Sequence, residues 1–77
     1  MVILKRLLLT DSKVEYAYYP EGKEAYGIIS FNLSTKEPTL LKDDGKNNST
    51  YRGQAFKRIK EYDSNDDFPE TGLVAWY

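Results

Sequence analysis

The side chains able to do chemistry in this chain are tyrosines, cations and carboxylates. Its 77 residues hold seven tyrosines, eleven Lys and Arg, and twelve Asp and Glu, with no histidine and no cysteine. Histidine is the one side chain whose ordinary pKa places its charge change near neutral pH. Cysteine is the strongest common nucleophile and soft-metal ligand. Without either, the usual acid–base pairs, thiol nucleophiles and zinc sites are missing. An enzyme built here would have to run on paired carboxylates, tyrosine or lysine. Paired carboxylates serve glycoside hydrolysis, but five of these acids crowd into residues 61–70 instead of facing one another across a cleft. The expectation is a non-catalytic protein with no cofactor, no metal and no evident small-molecule site.

Two acidic motifs come close to ligand sites and fail. Asp63, Asn65 and Asp67 match the opening of a calcium loop. Its sixth position should be Gly and its twelfth Glu, and here they are Phe68 and Val74. A solvated helix end explains the cluster better. Asp43-Asp44-Gly45-Lys46 lacks the upstream glycine of a phosphate-binding loop and is a turn signal.

The cations suggest a second kind of partner. Residues 46–60 carry five basic side chains, including Arg52, Lys57, Arg58 and Lys60, and no acid. With exposed tyrosines nearby, such a helix could hold phosphates on its cations and bases on its rings. Two facts weigh against nucleic acid and make it the lesser alternative. Cations late in a helix complement its dipole, and the acidic run that follows repels phosphate. Net charge is −1, so no overall field draws the chain to nucleic acid or a membrane.

These side chains must be positioned by one small domain, residues 1–77. A chain of this size buries roughly 60–65% of its unfolded surface, and no disulfide can assist. Residues 2–9 read as a strand, followed by a turn at Thr10–Lys13. Val14–Tyr19, Ala25–Leu33 and Thr39–Lys42 read as three more strands, with turns at Pro20–Lys23 and Ser34–Pro38. Lysine and proline suit the fourth to a sheet edge. A helix capped by Asn48 or Ser49 follows, with Tyr51, Ala55, Phe56, Ile59 and Tyr62 at helical spacing. Leu73–Tyr77 reads as a last strand. The expected fold is α+β: an antiparallel sheet of four to five strands in the order β-β-β-β-α-β, with one amphipathic helix on one face. For the last strand, pairing within its own sheet with Trp76 buried competes with a tail that docks on another subunit.

Strand register separates core from surface. A two-residue turn at Asp11-Ser12 sets Leu9 against Val14, Leu7 against Tyr16 and Lys5 against Tyr18. A four-residue turn at Pro20–Lys23 sets Tyr16 over Gly27. Ile3, Leu7, Leu9, Val14, Tyr16, Ile29, Phe31 and Leu33 then face the helix. The opposite face carries Leu4, Leu8, Tyr19, Tyr26 and Ile28, beside Arg6, Glu15 and Ala17. A solvated sheet face is mostly polar, and an apolar one marks an interaction site. Leu4, Leu8, Tyr19, Tyr26 and Ile28 are therefore the candidate protein-binding residues, with a homodimer or another protein as partner.

The apolar start is no signal peptide, because Lys5-Arg6 interrupts it and no cleavage site follows. No stretch is long enough to span a bilayer. Three glycosylation matches are chance in a chain that is not secreted. Absent cysteine suits a reducing compartment, and the expected location is the cytoplasm.

Overall fold

The computed structural model describes residues 1–43, 45 and 49–75. Strands β1 (Val2–Leu9), β2 (Lys13–Pro20), β3 (Gly27–Asn32) and β4 (Pro38–Lys42) are followed by helix α1 (Ser49–Ser64) and strand β5 (Thr71–Val74). The sheet is antiparallel throughout and ordered β4-β3-β2-β1-β5. The order β-β-β-β-α-β and the two-layer α+β architecture match expectation. The last strand starts at Thr71, two residues earlier than its composition suggests, and pairs within its own sheet. The helix cap at Asn48 and the Ser49 side chain, and the burial of Trp76, lie outside the described residues.

The helix buries the expected stripe. Ala55 and Ile59 are fully buried, with Tyr51, Phe56 and Tyr62 packed beside them. Facing them across the layer are Val2, Leu4, Val14, Tyr16, Tyr18, Ile29, Phe31 and Val74. The helix ends in two crossed hydrogen bonds. Asp67 N donates to Tyr62 O at 3.0 Å and Asp66 N to Asp63 O at 3.1 Å, with Asp66 at φ 51°. That is the Schellman arrangement, which satisfies carbonyls left open at a helix end. Because α1 runs on to Ser64, its last turn holds no cation. The helix dipole therefore does not explain Lys57, Arg58 and Lys60. Two acids near that end are ion-paired: Arg58 Nε lies 3.3 Å from Glu61 and Lys36 Nζ 2.9 Å from Asp63.

The strand register departs from expectation at one residue. Leu9 faces Val14 and Leu8 faces Glu15, but Arg6, and not Leu7, faces Tyr16. Leu7 is an extra residue in the ladder, a β-bulge. Side chains alternate along a strand, so one inserted residue exchanges the faces of everything beyond it. Leu4 and Val2 turn into the core, and Ile3 turns out. Leu4 is completely buried and is not a surface residue, while Leu7 and Leu9, expected inside, are 52% and 45% exposed. The regular register would have pressed Lys5 onto Tyr18 in the core, an expensive burial for a cation. With the bulge, Lys5 faces outward. Arg6 takes the inner face near the strand's end, where its guanidinium donates to Phe68 O at 2.6 Å.

Between β2 and β3 the slip is two residues, which preserves faces. Tyr18 opposes Gly27, and Tyr16 opposes Ile29. The connection includes a tight turn whose central residues Glu21 and Gly22 have φ of 54° and 68°, as a type I′ turn requires. An aromatic ring over Gly27 was expected, and it is Tyr18, not Tyr16, that lies there. A methyl group on Gly27 would overlap the Tyr18 ring. Gly27→Ala should therefore cost about 1–3 kcal/mol through overpacking, read as a lower urea midpoint. A midpoint equal to that of the parent protein would contradict the packing described.

Candidate interaction surface

The sheet face turned away from α1 is built of three rows of side chains running across the strands. In the first, Leu73 opposes Ile3 and Ile3 opposes Tyr19. Tyr19 then stacks on Tyr26, with ring centroids 5.2 Å apart and planes at 29°. In the second, Thr71, Lys5, Ala17, Ile28 and Lys42 follow one another. In the third lie Leu8, Glu15, Ser30 and Thr39. The face thus grades from wholly apolar at one end to polar at the other. Among the described residues, no element packs over it.

The tyrosines are held by their neighbours. Lys42 Nζ lies 3.6 Å from the Tyr26 ring centroid, and Lys5 Nζ lies 5.1 Å from that of Tyr19. Such contacts contribute about 0.5–1 kcal/mol at exposed sites. They also fix both ammonium groups beside the apolar row. Tyr19, Tyr26, Ile3 and Ile28 are half-buried, Leu73 is exposed, and Ala17 is covered by the longer side chains around it.

Four of the five expected interaction residues, Leu8, Tyr19, Tyr26 and Ile28, share this face, and Leu4 does not. The bulge replaces Leu4 and Arg6 with Ile3 and Lys5. Leu73 and Lys42 were missed because they enter from strands whose register the sequence does not determine. The cost of turning Lys5 inward was the available signal for the bulge.

The basic residues of the helix lie on the other layer. Lys57 and Lys60 flank a shallow groove with Gly53, Phe56 and Ser64, and Arg58 is tied to Glu61. Arg52 is half-buried. Tyr51 and Tyr62 on the same helix turn toward the core. The sheet tyrosines and the helix cations therefore do not form one surface.

The titratable groups with shifted pKa values are in structural bonds. Tyr16 donates to Pro69 O at 2.6 Å, and burial raises its pKa. Burial also raises that of Tyr62, whose hydroxyl lies against Gly72. Tyr51 donates to Glu21 Oε1 at 2.6 Å, the main reason that the Glu21 carboxyl is held below its usual range. The same bond raises Tyr51. Among the described residues no group of three or more acids is placed to hold a metal ion. Among the described residues no helix is long and apolar enough to cross a membrane. Comparison of the chain with protein-family models, curated proteins and solved structures gives no match.

An unfolded tyrosine releases its proton near pH 10, whereas Tyr16 and Tyr62 keep theirs in the folded state. Above that pH the folded state binds more protons, so stability falls as pH rises further. Tyr16→Phe should lower stability at neutral pH by about 1 kcal/mol, for the lost hydrogen bond. It should also make the alkaline decline shallower. Urea midpoints between pH 8 and 11 test this. An unchanged alkaline slope would show that Tyr16 is not a source of it.

Proposed function

We propose that this chain is a non-catalytic protein-interaction module that self-associates through the open face of its sheet. The observation that carries the proposal is the uninterrupted row Leu73–Ile3–Tyr19–Tyr26, apolar across its full width on an uncovered face. Aligned sheets pack face to face about 10 Å apart and bury such rows against each other. A second copy offers the same row, so the contact is self-complementary about a two-fold axis. Two features favour protein over nucleic acid. The two tyrosine rings are engaged by each other and by Lys5 and Lys42, which leaves less ring surface for bases. Ile3 and Leu73 offer nothing for a base to stack on. Glu15, Glu21, Glu61, Asp63 and Glu70 are in ion pairs and Asp43 in a turn contact, which supports binding over catalysis. The cysteine-free chain suits a reducing, cytoplasmic setting.

Light scattering across a dilution series tests the proposal. The parent protein should exceed the monomer mass of 8.9 kDa. Tyr19→Glu combined with Ile28→Glu should halve that mass while leaving the far-ultraviolet circular dichroism unchanged. Equal masses for parent and variant would overturn the face as the site of self-association.

A further inference from the structure

The two edges of the sheet are protected very differently. The outer strand β4 is short, begins at Pro38, ends at Lys42 and slips register between its pairings with Ile28 and Ile29. Proline, lysine and irregularity are the usual devices that keep an edge from recruiting another strand. On the other side, β5 pairs with Val2–Lys5 only, and the last backbone bond from that direction is Arg6 N to Glu70 O at 2.8 Å. Beyond it, the outer side of β1 has no neighbouring strand among the described residues. The segment left there is Leu7-Leu8-Leu9, exposed by 52%, 39% and 45%. A notch bounded by these leucines and by Glu70 and Thr71 marks where β5 stops short.

We infer that this uncovered half of β1 pairs antiparallel with the same segment of a second copy. The occupant follows from the order Lys5-Arg-Leu-Leu-Leu-Thr-Asp11. Laid antiparallel against itself and centred on Leu8, the segment sets Leu7 against the partner's Leu9 and Leu8 against the partner's Leu8. The pairing ends at Leu7, because the Arg6 amide is already bonded to Glu70 O. An antiparallel strand paired with its own copy is isologous, so the contact closes as a dimer instead of growing into a fibre. Backbone hydrogen bonds supply the attraction common to strand addition, and the leucines supply the apolar contact. The bulge at Leu7 bends the strand and confines the pairing to this short stretch. This interface is separate from the open face. Its axis stands perpendicular to the sheet, whereas face-to-face packing has its axis in the sheet plane. Where the two axes intersect, the two interfaces together close a tetramer of two continuous sheets.

Leu7→Lys combined with Leu9→Lys tests the inference, because it sets like charges directly opposite each other at both Leu7–Leu9 pairs, which is unfavourable, and leaves Leu8 of the open face unchanged. By light scattering at matched concentration the variant should have half the parent mass. Placed in the Tyr19→Glu, Ile28→Glu background, it should leave a monomer. If the edge variant leaves the mass unchanged while the face variant halves it, the edge pairing is wrong and the face stands. If the edge variant halves the mass and the Tyr19→Glu, Ile28→Glu variant does not, the edge stands and the face is wrong. Amide hydrogen exchange in the unmodified protein gives an independent reading. At least one amide within Leu7–Leu9 should exchange at least tenfold more slowly at high than at low protein concentration. Equal rates would overturn the pairing.

Discussion

Side chains along a strand alternate between faces, and β1 must obey that rule with two adjacent cations near its middle. In any register, one of Lys5 and Arg6 faces the helix. The bulge at Leu7 settles the choice in favour of Arg6. Its long side chain starts near the rim and reaches a carbonyl at Phe68, whereas Lys5 would have met the buried Tyr18 ring. From that choice follow the burial of Val2 and Leu4, the outward position of Ile3, and the aliphatic half of the open face. A single inserted residue therefore does more to define the surface than any strand propensity.

The same region also decides where β5 begins. Arg6 and Tyr16 hold the carbonyls of Phe68 and Pro69, and the crossed bonds at the end of α1 aim the chain toward them. These polar anchors bring the chain back to the sheet at Thr71, level with Lys5. They leave the distal part of β1 without a neighbour. The helix end, the bulge and the bare edge are thus mechanically connected, although they lie far apart in sequence.

Much of the fold was legible from the order of residues. Turn chemistry at Thr10–Lys13 and Pro20–Lys23, alternation in the strands and helical spacing from Tyr51 to Tyr62 each depend on near neighbours. The faces of β2 and β3 also came out correctly, since a slip of two residues leaves alternation intact. What could not be read from local pattern was the bulge, a property of the β1–β2 pair. It moved Leu4 from the candidate surface into the core and brought Ile3 and Lys5 in its place. Leu8, Tyr19, Tyr26 and Ile28 lie on the expected face because Leu8 precedes the slip when counted from the turn, and the others lie on β2 and β3 or beside them. Leu73 and Lys42 depend on long-range pairing that no local pattern encodes. The basic helix residues and the sheet tyrosines do not form one surface, because the two sets occupy opposite layers.

The register of β1 against β2 underlies every assignment to core, face and edge, and nuclear Overhauser contacts between the two strands measure it directly. The structure predicts cross-strand contacts that pair Leu4 with Tyr18, Arg6 with Tyr16 and Leu8 with Glu15. Contacts pairing Lys5 with Tyr18 and Leu7 with Tyr16 would mean that there is no bulge. The open face would then carry Leu4 and Arg6, and the account given of this protein's surfaces would be wrong.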